Sequence, residues 1–467
     1  MLASALILSA AFATGCSSGA GTTFTGNTSV VVLTTSTAND QLTSFGVTLN
    51  SLTLVSQTGN TVNLLDKPVD PDFIHVNGTA EPLVAAVVPQ GIYTSAKISV
   101  ASAGFWCLTL APNGEVAGSL FADNSVPNAD VTVTLPKPIT VVGATMGLSL
   151  NLLVSKSASW GNCDGSLSSS YTIAPTFSIA PVTISATPTN SGNDKLSGLE
   201  GVIASSDGNG FTVNSPSGGP IWQVLFNGST AFQGITGSPQ LAVGMPVDID
   251  VAIQADGSLL ATRVEVLDRD TTNLSFWAGG PLLKVSNNAP EVLDFGRLQT
   301  PGPIQSGGGL WLDFTSSTFA VSGQLGNVAN LPFQANFSSA NMVAGQNTAV
   351  TFHETAFGQN GPSPTTITLV PQILNGTIKA ISAEGGFTTY TVQLAPYDLF
   401  PTFAVQSDQT TMLSNPDTVV VYADSKTQML NTSPVAVGSV MRFYGLVFNN
   451  NGTLRMDCAE LNDGVPE

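Results

Sequence analysis

The chain has 467 residues, only 9% of them charged, and its 31 acidic against 13 basic residues leave a formal net charge of −18. That balance excludes a phosphate-binding surface, because neutralising a nucleic-acid backbone takes clustered Lys and Arg. The length predicts several domains, on a prior of roughly 100–200 residues each. A polar fraction rich in Ser, Thr, Asn and Gly favours strands and turns over helices.

Residues 1–15 are predicted to be a signal peptide: residues 2–13 are apolar and small, and the run is shorter than the about 20 residues needed to span a bilayer. It leads into Thr14-Gly15-Cys16-Ser17-Ser18-Gly19. Small residues just before a Cys resemble the lipobox of bacterial lipoproteins. The resemblance implies that Cys16 is lipidated and becomes the first residue of an exported protein, membrane-anchored in the bacterial cell envelope, at the periplasm or cell surface. Residues 16–27, rich in Gly, Ser and Thr, are predicted to be a flexible tether.

From Val30 the pattern is β. Phe45, Val47, Leu49, Leu52 and Leu54 follow an approximate period of two, and further strands are predicted at residues 62–65, 96–100, 131–135, 146–155 and 172–184. In the run from Met146, the side chains of Met146, Leu148, Leu150, Leu152 and Val154 share one face, opposite Gly147, Ser149 and Asn151, as a half-buried strand requires. Pro89-Gln90-Gly91-Ile92-Tyr93, followed by a strand, resembles the Pro-x-Gly-x-Tyr edge of prealbumin-like β-sandwich domains in uncharacterised exported bacterial lipoproteins. The resemblance covers residues 28–185 and implies a fold and a cellular address, without an activity.

Residues 186–195, polar and turn-forming, are predicted to be a linker. Beyond them the chain repeats. Gly201-Val202-Ile203, Phe211-Thr212-Val213, Thr230-Ala231-Phe232, Gly244 and Asp256-Gly257 recur in order as Gly376-Thr377-Ile378, Tyr390-Thr391-Val392, Thr427-Gln428-Met429, Gly438 and Asn451-Gly452. The units span residues 196–270 and 374–463. Between them residues 274–372 form a divergent copy, keeping Thr318-Phe319, Gly345, Asn360-Gly361 and Ile367. The outer copies resemble small β-barrel repeats of unknown function, and internal repetition of this kind points to an array of like units. Asn451-Gly452 between apolar strands is the preferred chemistry of a type I′ hairpin turn.

Candidate chemistry is sparse. With only His75 and His353, a catalytic triad or His-rich metal site has little to draw on. His353-Glu354-Thr355-Ala356-Phe357 opens like the zinc motif H-E-x-x-H but lacks its second ligand. Gly15-Cys16-Ser17-Ser18-Gly19 fits the nucleophile-elbow spacing without the strand-to-helix setting, and no nucleotide-binding glycine loop is present. Carboxylates are the remaining reactive groups: Asp66, Asp70 and Asp72; Asp123 and Asp130; Asp248, Asp250, Asp268 and Asp270. They suit turns as well as they suit Ca²⁺. Trp160, in the loop SWGNCDG, is the candidate for stacking on a ligand, while Trp222 reads as core. Cys107 and Cys163 share a domain in an oxidising compartment and are expected to pair, leaving Cys458 as a buried thiol.

The expectation is an all-β protein: a prealbumin-like β-sandwich followed by two or three small β-barrel (OB-like) repeats. No catalytic residue, metal or cofactor is assigned. The expected role is a non-catalytic surface binding module for glycan or envelope-protein ligands, with a membrane contact through the lipid anchor and no nucleic acid or nucleotide. The alternatives are a structural spacer of the envelope and a carboxylate-dependent hydrolase.

Overall fold

The computed structural model describes residues 24–37, 42–74, 79–110, 116–123, 129–161, 163, 170–184, 194–215, 219–271, 276–286, 289–293, 309–325, 328–353, 363–396, 398–404, 413–431 and 433–463. Cys16, His75, Glu354 to Phe357 and Asn360-Gly361 lie outside them, as do the side chains of Asp123 and Asp130. No helix among the described residues is long and apolar enough to cross a membrane.

The amino-terminal domain contains β1 (Asn27–Ser36), β2 (Leu42–Ser56), β3 (Thr61–Asn63), β4 (Glu81–Pro89), β5 (Gly91–Leu110), β6 (Val116–Asp123), β7 (Ala129–Val141), β8 (Thr145–Leu152), α1 (Val154–Ser157), β9 (Ala158–Trp160), β10 (Tyr171–Ile173) and β11 (Phe177–Val182). One sheet runs β11-β8-β1-β4 and a second runs β3-β2-β5-β6, with β7 also on β5. Inward residues of both, among them Val30, Val32, Phe45, Ile98, Leu148 and Leu150, form one core. The run from Met146 ends as a strand at Leu152, short of the predicted residue 155. Val154 opens α1 instead, its N–H held by the Thr37 hydroxyl at 2.8 Å while Ser157 Oγ donates back to Leu153 O.

Three barrels follow. The first uses β12 (Lys195–Ser206), β13 (Gly210–Asn214), β14 (Ile221–Leu225), β15 (Ala231–Gln233), β16 (Pro246–Ile253) and β17 (Leu259–Val266). The second uses β18 (Phe276–Ser286), β19 (Ala289–Leu293), β20 (Gly309–Trp311), β21 (Thr318–Val321), β22 (Asn347–Phe352) and β23 (Thr366–Leu369). The third uses β24 (Gln372–Glu384), β25 (Phe387–Leu394), α2 (Leu399–Ala404), β26 (Thr418–Ala423), β27 (Gln428–Met429), β28 (Val440–Asn450) and β29 (Thr453–Asp463). All three share one strand order, β14-β13-β12-β16-β17-β15 in the first. In the first and third, a parallel pairing, β14 on β17 and β26 on β29, closes five strands into an OB-like barrel.

Local chemistry repeats with the topology. Gly244, Gly345 and Gly438 have φ of 92°, 96° and 93°, a region that favours glycine. Each donates its N–H to the first strand of its barrel, at Ile203, Leu282 and Ile378, over 2.7–2.8 Å. The hydroxyls of Thr230, Ser317 and Thr427 each donate to the last strand or its entry, at Ala261, Pro364 and Cys458. The Asn451-Gly452 turn has φ of 53° and 85°, the paired positive values of a type I′ hairpin.

The cores interlock. Val31 and Leu33 of β1 enter the first barrel's core; Leu446 and Phe448 of the third barrel enter the second's, and Val343 of the second enters the third's. Period-two alternation would make the last unit self-contained, yet the far end of β28 fills its neighbour. Trp222, read as core, is 3% exposed and spans the first such joint, its Nε1 donating to Pro82 O at 2.8 Å.

Candidate ligand clefts at the barrel junctions

β16 and β17 form an antiparallel pair in which Asp248 faces Glu265 and Asp250 faces Arg263. Val247, Ile249, Val251 and Val264 point into the barrel core, so alternation sends the four charged side chains outward together. Arg263 is nevertheless 5% exposed. It bonds Asp248 through Nη2 at 2.7 Å, Asp250 through Nε at 2.8 Å and Glu265 through Nη1 at 2.8 Å.

What covers this patch comes from the other two barrels. Ser322 Oγ donates to Glu265 at 2.8 Å, and the Gly323 N–H does so at 3.1 Å. Gln324 Nε2 donates to Asp250 at 3.2 Å, and its Oε1 accepts from the Tyr444 hydroxyl at 3.2 Å. Gly198 has φ +71°, its N–H bonds Asp250 at 3.0 Å, and a Cβ there would run into the Tyr444 hydroxyl. The sequence reading singled out Asp248 and Asp250 but missed Arg263 and Glu265. The signal was the alternation in VDIDV and RVEV, which places the two runs opposite each other once the Asp256-Gly257 hairpin is drawn.

Beside this lock the three barrels leave a cleft of about 350 Å³. The first barrel contributes Lys195 and Asp250, the second Gln324 and Asn330, the third Asp424, Lys426, Asp457 and Phe387. Burial, with the neighbouring Asp424 charge, pushes Asp457 up to about 7. A near-neutral carboxyl in a polar cleft is a recognised mark of a functional site.

Other buried acids are raised too. Burial pushes Asp248 up to about 8, against the pull of Arg263, and Glu460 to about 8, against Arg442. Asp398 rises to about 7 through burial, although the N–H groups of Asn375 and Phe400 pull it down. Arg263 is held above the ordinary arginine range: burial lowers it, and Asp248, Asp250 and Glu265 more than offset that. Between the ordinary carboxyl range and these values the folded chain binds more protons than the unfolded one. This stability is therefore fully present at about pH 4 and is lost as pH rises through about 7–8. The expected result is a higher melting temperature at pH 5 than at pH 8.5 by scanning calorimetry; a profile rising across that window would contradict it.

The remaining candidates are structural. Asp72 accepts the N–H groups of Phe45 and Ile74, and Asp70 the Thr48 hydroxyl, so they shape their own loop. His353 lies just beyond β22 and bonds Asp268 at 2.6 Å, with Asp270 at 3.8 Å, tying the end of the first barrel to the second. Among the described residues no group of three or more His, Cys, Asp or Glu side chains is placed to hold a metal ion. Trp160 is half-buried, with its ring 5.2 Å from Phe105 and packed against the core; Trp311 is 45% exposed. Cys107 and Cys163 are joined by a disulfide, and Cys458 is a buried free thiol.

Residues 200–265 match a domain of unknown function, DUF5666. The DUF5666 segment runs from β12 to β17 and contains Asp248, Asp250, Arg263 and Glu265. Among solved structures the chain is similar to drosophila Unr CSD456, with a TM-score of 0.14 and 11% identity, covering 58% of this chain and 98% of that one. No curated protein matches the chain.

Proposed function

We propose that this is a non-catalytic binding protein of the bacterial cell envelope, held to a membrane through lipid on Cys16, in which a prealbumin-like sandwich is followed by barrels that present a glycan-binding cleft. The observation that carries the reading is the cleft where three barrels meet. Its acceptors Asp250, Asp424 and Asp457, its amides Gln324 and Asn330 and its amines Lys195 and Lys426 suit the mixed donors and acceptors of a sugar. A protein partner would need a face of about 800 Å², and a concave polar site of this size suits a small ligand better. A spacer would gain reach from domains strung end to end. Here Arg442 of the third barrel bonds Ser36 O of the first domain, 406 positions away, at 3.2 Å, which favours a compact binding body.

On a glycan array followed by calorimetry, the mature protein is expected to bind at least one glycan, and Asp424→Ala to weaken it by about tenfold or more. No bound glycan, or full affinity in the variant, would overturn the cleft assignment. The raised Asp457 beside Asp424 favours a second reading, a carboxylate-dependent hydrolase; cleavage of the bound glycan that Asp457→Asn abolishes would establish it instead. For the anchor, Cys16→Ala is expected to move the protein from the membrane fraction to the soluble one. Wild type that incorporates no labelled palmitate would remove the lipid from the reading.

A further inference from the structure

The outward face of the first sheet changes character along its strands. β1, β8 and β11 pair so that matched side chains form rows: Val31, Gly147 and Val182; then Leu33, Ser149 and Ala180; then Thr35, Asn151 and Ser178. Val31 and Leu33 belong to the first barrel's core, and Val182 packs against it. Two residues further along, the third row is polar throughout, with Asn151 Nδ2 donating to Ser178 Oγ at 3.4 Å. Apolar packing stops there and a cleft of about 260 Å³ opens.

Its opposite wall is the third barrel. Arg442 of β28 and Glu460 of β29 line it, and Lys195 lies where β12 begins. Arg442 is fixed rather than loose: Nε donates to Asp463 O at 3.1 Å and Nη1 to Ser36 O at 3.2 Å. The position has a history in the repeat. Counted from the glycines Gly244 and Gly438, Arg442 stands where the first barrel has Asp248 and Tyr444 where it has Asp250; Glu460 pairs with Tyr444 as Arg263 pairs with Asp250. The signs of the pair are reversed, and the basic group is on the strand nearer the first domain.

We propose that this second cleft binds a small sugar bearing a carboxylate, of the uronic-acid class. Two of the 13 basic residues of a chain with net charge −18 line this one site. Burial, against the pull of Arg442, raises Glu460 to about 8, which weakens its opposition to an anionic ligand. Arginine and lysine meet the carboxylate. The Thr35, Asn151 and Ser178 row offers uncharged donors and acceptors to ring hydroxyls. The volume is below the usual range for drug-sized ligands, about 300–1,000 Å³, and suits a single sugar ring.

The site adjoins the three-barrel cleft and shares Lys195 with it, but Asp424 lines only that cleft and Asn151 and Ser178 only this one, so the two are tested apart. The mature protein is titrated by calorimetry with glucuronate, glucose and acetate. Glucuronate is expected to bind, with glucose and acetate each at least about tenfold weaker. Asn151→Asp and Ser178→Asp, which add a negative charge to the wall facing away from the first domain's core, are each expected to abolish glucuronate binding while melting like wild type. Asp424→Ala, in the other cleft, is expected to leave it unchanged. No glucuronate binding at about ten millimolar, equal binding of glucose, or full affinity in a folded wall variant would each overturn the proposal. Acetate binding as well as glucuronate would reduce the site to a simple anion pocket and overturn the sugar assignment.

Discussion

Arg263→Met is expected to lower the stability of the protein by about 3–5 kcal/mol, the cost typical of removing one partner from a buried ionic group. Methionine matches the arginine stem in length, so packing is largely kept and charge is what changes. Left behind are Asp250 and Glu265, each bonded to Arg263 at 2.8 Å, and Asp248 at 2.7 Å. Glu265 also holds Ser322 and Gly323, and Asp250 holds Gln324, so repulsion in the first barrel transmits directly to its joint with the second. Urea unfolding followed by tryptophan fluorescence would measure the loss. Adding Asp250→Asn to Arg263→Met is expected to restore part of it, because one orphaned charge is then removed. An unchanged midpoint in the single variant would mean that the cluster contributes nothing to the joint.

Replacing Cys107 and Cys163 by serine is expected to cost a comparable amount. The bridge closes a loop with a sequence separation of 56, which on the chain-entropy model corresponds to about 4 kcal/mol. Cys107 lies in the first domain's core on β5, and Cys163 lies beyond β9, the strand that pairs with β10. Without the bridge the segment carrying β9 is tied on by α1, by three residues paired with β10 and by the contact of Trp160 with Phe105. Calorimetry of the serine double variant should show the melting transition of the first domain falling. A transition at the wild-type temperature would mean that this packing alone holds the segment.

The residues that were legible in sequence share a property: their roles are set by neighbours in the chain. Gly438 and Asn451-Gly452 were readable because a positive φ is a local demand. Met146 to Leu152 were readable because alternation names the inward face of a strand whatever it packs against. Thr230 and Thr427 stood out as repeated positions, though the bond each makes to a carbonyl 31 residues on was not visible. The divergent middle copy was hard to read because Ser317 and Pro364 take the places of Thr230 and Ala261, and the sheet tolerates that exchange.

The candidate sites were legible only in part. Asp248 and Asp250 were noted as carboxylates, but alternation says only that they face outward. It does not say that outward means toward Tyr444 and Gln324, from elements 74 to 194 positions later. A polar loop surrounds Trp160 in sequence, and nothing local shows that Phe105, more than fifty residues earlier, occupies one side of its ring.

The all-β class, the repeated barrel unit and the turns that close it follow from local pattern, since strand period, glycine placement and turn chemistry act over a few residues. Tertiary structure alone decided that the barrels share cores, that Arg263 becomes a buried junction and that Arg442 and Glu460 invert the same pair at a second one. Those outcomes depend on how whole barrels are oriented. Orientation is set by the sum of surface contacts between distant strands, which no local pattern encodes.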